Sequence, residues 1–376
     1  MIYKSFSNAS LSALGLGTMR LPIIDGDYSR IDEEKTAEMI EIALRNGINY
    51  FDTAWGYHSG NSERVLGKLL SRYPRESYYL ASKFPGFNLS TFEHKEEVFE
   101  EQLRKCNVDY FDFYLFHNVC EKNIDAFLSE KYGIRDYLIQ KKKEGRIRHL
   151  GFSVHGVLET MERFLDAYGE DIEFCQIQLN WLDWKLQGAR EKVEMLNARG
   201  IPIWVMEPVR GGGLVTLPER YEARLRALCP DRSLPEWAFR FLQSIDGVTV
   251  TLSGMSNEQQ LRENIVTFTE NKPLSREEWD ALLSVANDML LEKTLPCTAC
   301  RYCTASCPQG LDIPRLLSLY NEHLYAGGDH FSAITLSAIP EEKRPSACIG
   351  CKSCEAVCPQ KIEIAEALSD FARKVR

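Results

Sequence analysis

The chain has 376 residues, a formal net charge of −9, 44% hydrophobic residues and 26% charged residues. This composition is typical of a globular protein, and an acidic chain without a basic stripe argues against nucleic acid or an anionic membrane as a partner. No apolar run reaches the roughly 20 residues of a transmembrane helix, and the first residues lack the apolar segment of a signal peptide. We therefore expect a cytoplasmic protein with two domains.

Residues 1–290 alternate between short β-branched or aromatic runs and longer amphipathic stretches. Eight such units in about 250 residues predict a (β/α)8 TIM barrel. The competing fold is an open doubly wound sheet, but no G-x-G-x-x-G follows the first run. The predicted helices include EEKTAEMIEIALRNG, which ends with a C-cap at Gly47, and TFEHKEEVFEEQLRKCN. The predicted strands lie in SALGLGTM, INYFDTA, SYYLASKF, DFYLFHN, IRHLGFSV, FCQIQLN, IPIWVMEP and GVTVTLSG.

Active-site residues of such a barrel lie at the carboxyl ends of its strands. Asp52 ends the second predicted strand, Tyr57 follows it, Lys83 ends the third and His117 ends the fourth. Taken singly, each residue has an ordinary structural explanation. Asp52 would cap a turn, Tyr57 would pack its ring, Lys83 would be solvated at a strand end, and His117 would be a core histidine with its hydrogen bonds satisfied. Four groups that can donate, relay or stabilise a proton at one barrel mouth together predict an acid–base site.

The segments that carry these residues resemble the aldo-keto reductase family. DTAWGYHSGNSERVLGKLL resembles the family's D-T-A-x-x-Y-x-x-G-x-S-E-x-x-L-G signature, and LGLGTMRL resembles its opening strand. SKF and LFHN resemble its lysine and histidine segments. The resemblance covers about residues 1–290 and implies that Asp52, Tyr57, Lys83 and His117 are a catalytic tetrad. It also implies NADPH or NADH as cofactor and a small carbonyl or alcohol as substrate.

The chemistry of the four residues supports the same roles. Reduction of a carbonyl by hydride leaves an oxygen that needs a proton, and a phenol with a pKa of about 10 is a weak acid at neutral pH. The ammonium of Lys83 would lower that pKa, and Asp52 would keep Lys83 charged. His117 can hydrogen-bond the substrate oxygen. Tyr57 is then the general acid in reduction and the general base in oxidation.

The resemblance also implies cofactor contacts along the same barrel mouth. It places Ser153 and Gln176 on the nicotinamide carboxamide. After the seventh strand, EPVRGGGL is a glycine run that could approach a pyrophosphate. SGMSNEQQLREN resembles the family's segment for the adenosine end. The expected cofactor-binding residues are Ser153, Gln176, Asn180, Met206, Arg210, Gly211, Gly212, Ser256, Gln260 and Asn264.

Three positions depart from the family pattern. Met206 stands where the family usually has an aromatic ring against the nicotinamide, and Val154 stands where many members have Asn. Gln260 occupies the place of a basic residue that often grips the 2′-phosphate, and Arg262 is on another face of the helix. Because of these departures, the sequence does not distinguish NADH from NADPH as the cofactor. The departures also leave room for a flavin, although no flavin motif is visible.

The last part of the chain contains an internal repeat of cysteines. CTACRYCTASCPQGLDI and CIGCKSCEAVCPQKIEI are offset by 51 residues (348 − 297). Both contain C-x2-C-x2-C-x3-C-P, the bacterial ferredoxin run that holds [4Fe–4S] clusters. Four-cysteine zinc sites normally use two separated C-x2-C pairs, so the spacing disfavours zinc. In two-cluster ferredoxins the fourth cysteine of each run ligates the other cluster. By that resemblance one cluster is held by Cys297, Cys300, Cys303 and Cys358, and the other by Cys348, Cys351, Cys354 and Cys307.

About forty residues separate the two runs, and they contain helical patterns. We expect helices in IPRLLSLYNEHLYAGG, DHFSAITLSAI and IAEALSDFARKV. Residues 291–376 are therefore interpreted as a small α-helical ferredoxin-like domain. The remaining cysteines, at positions 106, 120, 175 and 229, are expected to be small buried residues.

The leading hypothesis is an NAD(P)H-dependent oxidoreductase that reduces a carbonyl or oxidises an alcohol. Its two clusters would exchange electrons with a redox protein partner or with the substrate. Hydride carries two electrons together and a cluster accepts one, so direct coupling would need a step that divides the pair. A second hypothesis is a simple carbonyl reductase whose clusters are structural or form a docking module. A third is a nucleotide-binding regulatory or electron-transfer subunit with little turnover, against which the complete tetrad argues.

Overall fold

The computed structural model describes residues 1–326 and 335–375. They form two compact units: the first comprises Met1–Trp184 and Gly188–Trp279, and the second comprises Lys185–Gln187 and the chain from Asp280 onward. The division expected between residues 290 and 291 falls inside one helix, Arg276–Lys293. The helix expected in DHFSAITLSAI lies largely outside the described residues.

The first unit is built around a closed barrel of parallel strands. The strands are β1 (Tyr3–Phe6), β2 (Ala9–Ser12), β3 (Leu14–Gly17), β4 (Tyr50–Asp52), β5 (Tyr79–Phe84), β6 (Phe111–Val119), β7 (Ile147–Val154), β8 (Phe174–Gln178), β9 (Ile203–Met206) and β10 (Val248–Ser253). Strands β3 to β10 form the barrel, and β10 closes it by pairing with β3. Each predicted strand run overlaps one of these barrel strands, so the predicted (β/α)8 barrel is confirmed.

Helices connect the strands and cover the outside of the barrel. The first helix begins after Asp32, whose carboxylate accepts the N–H of Lys35, and ends just before Gly47, which has a φ of +88°. The second predicted helix is interrupted at His94. These helices are α1 (Glu33–Arg45), α2 (Ser62–Leu70), α3 (Ser90–Glu93), α4 (Lys95–Cys106), α5 (Ile124–Phe127), α6 (Ile134–Lys143), α7 (Leu158–Tyr168), α8 (Asp183–Leu186), α9 (Ala189–Ala198), α10 (Glu219–Leu228), α11 (Leu234–Gln243) and α12 (Glu258–Thr267). The next helix, α13 (Arg276–Lys293), begins in the first unit and continues into the second.

An antiparallel hairpin of β1 and β2 precedes the barrel and was not predicted from the sequence. Its strands have four residues each and mix polar with apolar side chains. Asn49, which precedes β4, donates to the carbonyl oxygen of Ser10 at 2.9 Å. The ring of Phe6 packs 5.0 Å from that of Trp204 and 5.7 Å from that of Phe113. The hairpin therefore covers the amino end of the barrel, opposite the end that carries the predicted site.

The second unit repeats a short helix followed by a longer one. Helices α14 (Tyr302–Ala305) and α15 (Ile313–Ala326) follow the first cysteine run, and α16 (Ser353–Ala356) and α17 (Ile364–Lys374) follow the second. Helices α15 and α17 pack against each other, as expected for a helical domain. The buried apolar residues between the helices include Leu311, Ile313, Leu316, Leu317, Ile362, Ile364, Leu368 and Phe371. Among the described residues, no helix is both long and apolar enough to span a membrane.

Candidate active site and cluster sites

Asp52, Tyr57, Lys83 and His117 lie together at the carboxyl end of the barrel. The Nζ atom of Lys83, which is fully buried, donates to Oδ1 of Asp52 at 2.6 Å and to the carbonyl oxygen of Thr53 at 2.8 Å. The same nitrogen lies 3.4 Å from Oη of Tyr57. The rings of Tyr57 and His117 are 6.0 Å apart and meet edge to face. Residues from three different strand ends thus form one cluster around a buried ion pair.

Burial sets the protonation states in this cluster. It raises the pKa of Tyr57 well above its ordinary value, and the Asp52 carboxylate adds to the shift. It lowers the pKa of His117 well below its ordinary value, and the charge of Lys83 adds to that shift. Burial also raises the pKa of Asp52 and lowers that of Lys83, while their mutual attraction opposes both changes. At neutral pH Tyr57 therefore keeps its proton and His117 is uncharged.

The direction of the Tyr57 shift differs from the sequence-based expectation. Lys83 was expected to lower the pKa of Tyr57, but burial raises it. A buried phenolate loses its hydration, and Lys83 already makes shorter bonds to Asp52 and Thr53. Tyr57 consequently holds its proton until a negative charge develops beside it. This protonated phenol is the form that a general acid requires.

Two residues of the family-like signature support the cluster from behind. Ser62 is fully buried, and its Oγ atom lies 2.9 Å from Oγ1 of Thr53. Glu63 is also fully buried and accepts a bond from Nε2 of Gln102 at 2.6 Å. Gln102 in turn donates to the carbonyl oxygen of Lys83 at 3.0 Å. The sequence does not indicate this role, because Gln102 lies on α4 outside any motif.

Three buried polar atoms at strand ends have no hydrogen-bond partner within residues 1–326 and 335–375. They are Oδ2 of Asp52, Nδ1 of His117 and Oε1 of Gln176. An unpaired buried polar atom is costly unless a ligand or water supplies its partner. Their position at the carboxyl ends of β4, β6 and β8 fits a polar ligand bound across the barrel mouth.

Ser153 and Gln176 form a neighbouring donor and acceptor pair. They are register partners on β7 and β8, and both are buried. Oγ of Ser153 accepts the N–H of Asn118 at 2.8 Å, so its hydroxyl hydrogen is available to donate. Nε2 of Gln176 lies 3.5 Å from the sulfur of Met206. A carboxamide offers one carbonyl acceptor and two N–H donors, which this pair can match.

Asn180 has a different environment from the other expected cofactor residues. It lies beyond the end of β8 and is fully buried. Its Nδ2 atom donates to Oδ2 of Asp183 at 2.6 Å and to the carbonyl oxygen of Glu207 at 3.0 Å. Its Oδ1 atom accepts the backbone N–H groups of Leu182 and Asp183 at 3.1 and 2.9 Å. Both amide hydrogens are therefore used to join the loops after β8 and β9.

The glycine run after β9 forms a tight turn. Arg210, Gly211 and Gly212 all have positive φ, at +50°, +62° and +98°. Nε of Arg210 lies 3.5 Å from Oδ1 of Asp183, and both side chains are buried to at least nine-tenths. The backbone N–H groups of Gly212 and Gly213 bond to carbonyl oxygens of the same turn at 3.0 and 2.9 Å. The glycines thus shape the turn, while their amides bond within it.

The expected adenosine-end residues lie around the start of α12. Oε1 of Gln260 accepts the backbone N–H of Ser256 at 2.8 Å, and both residues are exposed. Asn264 is buried and donates to Oγ of Ser253 at 3.1 Å. Arg262 is exposed and pairs with Glu258 at 2.6 Å. Asn264 therefore supports the end of β10, while Ser256 and Gln260 present polar groups to solvent.

The eight clustered cysteines line two separate cavities. The cavities also contain a proline and branched apolar side chains, but the thiols are their soft, metal-binding groups. Among the described residues, no three His, Cys, Asp or Glu side chains stand close enough to share a single metal ion. One cavity is lined by Cys297, Cys300, Cys303 and Cys358, and the other by Cys348, Cys351, Cys354 and Cys307. Each cavity therefore takes three thiols from one run and the fourth from the other.

The internal repeat extends to the backbone conformation around the cavities. Left-handed residues recur at matching places in the two runs. Such residues turn successive N–H groups toward one side and form concave sites for anions, including iron–sulfur clusters. Four thiols and this backbone fit a [4Fe–4S] cluster in each cavity. The matching left-handed pairs, each 51 residues apart, are Ala299 with Gly350, Arg301 with Lys352, and Gly310 with Lys361.

The four remaining cysteines lie in the barrel unit. Cys106, Cys120 and Cys175 are buried, as expected. Cys229 is only partly buried, and its sulfur lies 3.1 Å from Oε1 of Glu278. Burial raises the pKa of Cys175 well above its ordinary value, which keeps this thiol protonated.

Comparison with known proteins covers both units. A model of the aldo/keto reductase family matches residues 13–287, and a model of a 4Fe-4S dicluster domain matches residues 296–363. An NADH-specific methylglyoxal reductase from Escherichia coli is 26% identical over 312 residues, covering 70% of this chain and 92% of the relative. An L-galactose dehydrogenase from Arabidopsis thaliana is 26% identical over 302 residues, covering 73% and 90%.

Solved structures give the same fold for the barrel. The holo form of an aldo-keto reductase from Bacillus halodurans has a TM-score of 0.62 and 26% identity, covering 76% of this chain and 96% of that one. An aldo-keto reductase from Klebsiella pneumoniae in complex with NADPH has a TM-score of 0.59 and 18% identity, covering 76% and 96%. This chain is a member of the aldo/keto reductase family, an oxidoreductase whose barrel is followed by a 4Fe-4S dicluster domain.

Proposed function

We propose that the barrel reduces a small carbonyl compound with NADPH or NADH, or oxidises the corresponding alcohol. The observation that carries this proposal is the position of the Lys83 ammonium, 2.6 Å from Asp52 and 3.4 Å from the hydroxyl of Tyr57. A lysine held charged beside a protonated phenol is the arrangement that proton delivery to a carbonyl oxygen needs. The Escherichia coli relative, named as a methylglyoxal reductase, supports a small carbonyl as the substrate class.

Each tetrad residue has a distinct role in this reaction. A bound nicotinamide would supply hydride to the carbonyl carbon. Tyr57 donates its hydroxyl proton to the carbonyl oxygen, and Lys83 stabilises the phenolate that remains. Asp52 holds the ammonium in position through its 2.6 Å bond. His117 is uncharged, because burial lowers its pKa, and it orients the substrate oxygen by a hydrogen bond. In alcohol oxidation the same groups act in reverse.

We propose that the nicotinamide carboxamide binds to Ser153 and Gln176. The available hydroxyl hydrogen of Ser153 and the unpaired Oε1 of Gln176 match its acceptor and its donors. Met206 lies beside them and takes the place of an aromatic ring. Asn180 and Arg210 act by fixing the loops after β8 and β9. The other expected contacts would lie along the rest of the dinucleotide; they are Gly211, Gly212, Ser256, Gln260 and Asn264. The relatives include one named NADH-specific and one solved with NADPH, so both cofactors belong to the proposal.

We further propose that the C-terminal domain holds two [4Fe–4S] clusters, with ligands crossed between the runs. The support is the lining of the two cavities, which groups the fourth cysteine of each run with the first three of the other. Bound clusters would each exchange one electron with a redox protein or with the substrate. Such thiolates need a reducing compartment, so a cytoplasmic site belongs to the proposal. We also propose a domain boundary near residue 290, inside α13.

A second candidate function is a simple carbonyl reductase with structural clusters. One observation favours it: Cys303 and Cys354 lie in the apolar core of the second unit. A cluster bound there would join the two halves of the domain and contribute to its folding, whether or not electrons pass.

An anaerobic titration followed by EPR separates the two candidates. The protein with reconstituted clusters is mixed with NADPH or NADH, and its spectrum is compared with that of the dithionite-reduced protein. Electron exchange within one chain predicts a reduced-cluster signal that grows with the nicotinamide. Dithionite reduction without any response to nicotinamide, together with normal reduction of methylglyoxal, would favour the structural role.

A further inference from the structure

The side chain of His58, which follows Tyr57 in the chain, is fully buried and joins two loops. Its Nδ1 atom lies 2.8 Å from the carbonyl oxygen of Tyr28, and its Nε2 atom accepts the backbone N–H of Leu21 at 3.2 Å. Tyr28 and Leu21 belong to the β3–α1 loop (residues 18–32), whereas His58 belongs to the β4–α2 loop (residues 53–61). One imidazole therefore connects the loop that carries the phenol of Tyr57 to a neighbouring loop.

The two partners of His58 require a neutral ring with its proton on Nδ1. A carbonyl oxygen only accepts, so Nδ1 donates to Tyr28, and a backbone N–H only donates, so Nε2 offers its lone pair to Leu21. Burial lowers the pKa of His58, which favours this neutral form. The ring of Tyr28 stacks on the imidazole with the centroids 4.5 Å apart. Both ring nitrogens are thus occupied, so His58 is not placed to exchange a proton with a substrate.

The backbone around His58 needs an anchor. His58, Ser59 and Gly60 are successive residues with positive φ, at +51°, +56° and +88°. Left-handed conformations are unfavourable for residues with a Cβ and normally occur singly. Ser59 is exposed and Gly60 has no side chain, so the buried imidazole is the side chain of these three that holds the turn. Without its two bonds we expect the turn to relax, and Tyr57 is the residue directly before it.

The residues that flank the β4–α2 loop are fixed independently of His58. Before the loop, Asp52 is held by its 2.6 Å bond from Nζ of Lys83. After the loop, the Oγ atom of the buried Ser62 lies 2.7 Å from Oγ1 of Thr18. A change at His58 should therefore displace the middle of the loop, which carries the phenol, and leave the buried ion pair in place.

We propose that His58 is a positioning residue, which fixes the β4–α2 loop against the β3–α1 loop so that the hydroxyl of Tyr57 stays beside the ammonium of Lys83. This inference rests on the proposed function, in which Tyr57 is the general acid. The hydroxyl lies 3.4 Å from Nζ of Lys83, farther than the 2.6 and 2.8 Å bonds that this nitrogen makes to its other partners. A displacement of about 1 Å can cost about 10²-fold in rate. The position of the loop should therefore control proton delivery.

Two substitutions in the full-length protein separate the bonds of His58 from its bulk. His58→Phe keeps a ring against Tyr28 but removes both bonds, so kcat for methylglyoxal reduction should fall by about tenfold to 10²-fold while the Kd of NADPH or NADH is unchanged. His58→Asn can still donate to the carbonyl oxygen of Tyr28, and asparagine tolerates a left-handed backbone, so kcat should fall by only about threefold to tenfold. His149→Phe is the matched control, because this histidine bonds to Glu173 at 2.8 Å near the amino end of β7. It should lower the melting temperature without lowering kcat.

A double variant shows whether His58 acts through Tyr57. If it does, Tyr57→Phe/His58→Phe should have the same kcat as Tyr57→Phe, because the group that is positioned is already absent. A further fall in the double variant, as large as the fall caused by His58→Phe alone, would overturn the proposal. Unaltered kcat in His58→Asn would overturn it as well, whether or not His58→Phe folds.

The same measurements separate this inference from the proposed function. If Tyr57→Phe keeps full turnover, the general-acid role fails and the reason for positioning Tyr57 fails with it. If Tyr57→Phe loses turnover while His58→Asn keeps it, only the role of His58 is wrong.

Discussion

Replacing Tyr57 by Phe should lower kcat for carbonyl reduction by about 10²- to 10⁴-fold, the range typical of removing a general acid. The substitution removes one oxygen and leaves Lys83 its shorter bonds to Asp52 and Thr53, at 2.6 and 2.8 Å. The buried ion pair therefore persists, and the fold should be retained. Steady-state turnover of methylglyoxal with NADPH or NADH measures the effect, and a thermal melt checks the fold.

Tyr57 is a better probe than its neighbours in the cluster. Removing Lys83 would leave the Asp52 carboxylate buried without its partner, at a cost of about 3–5 kcal/mol that confuses stability with catalysis. The matched control is Tyr3→Phe, which deletes an exposed hydroxyl bonded to the carbonyl oxygen of Gly47. Nicotinamide binding should survive in both variants. Undiminished turnover by Tyr57→Phe would remove Tyr57 from the proposed mechanism.

Paired cysteine substitutions should lose either one cluster or both, according to which two thiols are removed. Crossed ligation assigns Cys297 and Cys358 to the same cavity, and Cys297 and Cys307 to different cavities. The double variant Cys297→Ala/Cys358→Ala should therefore keep one cluster, about half of the iron. Cys297→Ala/Cys307→Ala should lose both, because each cluster then lacks a ligand. Iron analysis and EPR of anaerobically purified protein measure the difference.

The reverse pattern would mean that each run holds its own cluster. In that case Cys297→Ala/Cys307→Ala would keep one cluster, and Cys297→Ala/Cys358→Ala would keep none. Cys229→Ala serves as the control, because this thiol lies in the barrel unit beside Glu278 and should leave both clusters intact. The two double variants remove the same number of thiols, so a general loss of stability cannot produce the contrast between them.

Much of the barrel could be predicted from the sequence because its signals are local. Each barrel strand is a short apolar run between turn or helix signals, and each predicted run overlaps one barrel strand. Asp52 ends β4 and Tyr57 lies in the loop that follows it, and the parallel order of strands brings Lys83 and His117 to the same end of the barrel. The repeated spacing along the chain likewise indicates the two cysteine runs, and the resemblance to two-cluster ferredoxins implies how their thiols are grouped.

The remaining features depend on contacts between distant segments. Gln102 lies on a helix and reaches the backbone of Lys83, which no motif indicates. The left-handed backbone of Glu207 cannot be read from its residue type, since glutamate rarely adopts it. The pKa of Tyr57 depends on how deeply the phenol lies in the mouth, so charge proximity alone gave the wrong direction. The sequence also does not indicate that the Asn180 amide joins the loops after β8 and β9.

Isotope transfer from the cofactor tests the central proposal most directly. The protein is supplied anaerobically with methylglyoxal and with NADPH or NADH that carries deuterium at both positions of C4, and the alcohol product is examined by mass spectrometry. Direct hydride transfer beside Tyr57 predicts one deuterium on the former carbonyl carbon. An alcohol that forms without deuterium would contradict the account, since its electrons would then have passed through another carrier that exchanges hydrogen with water.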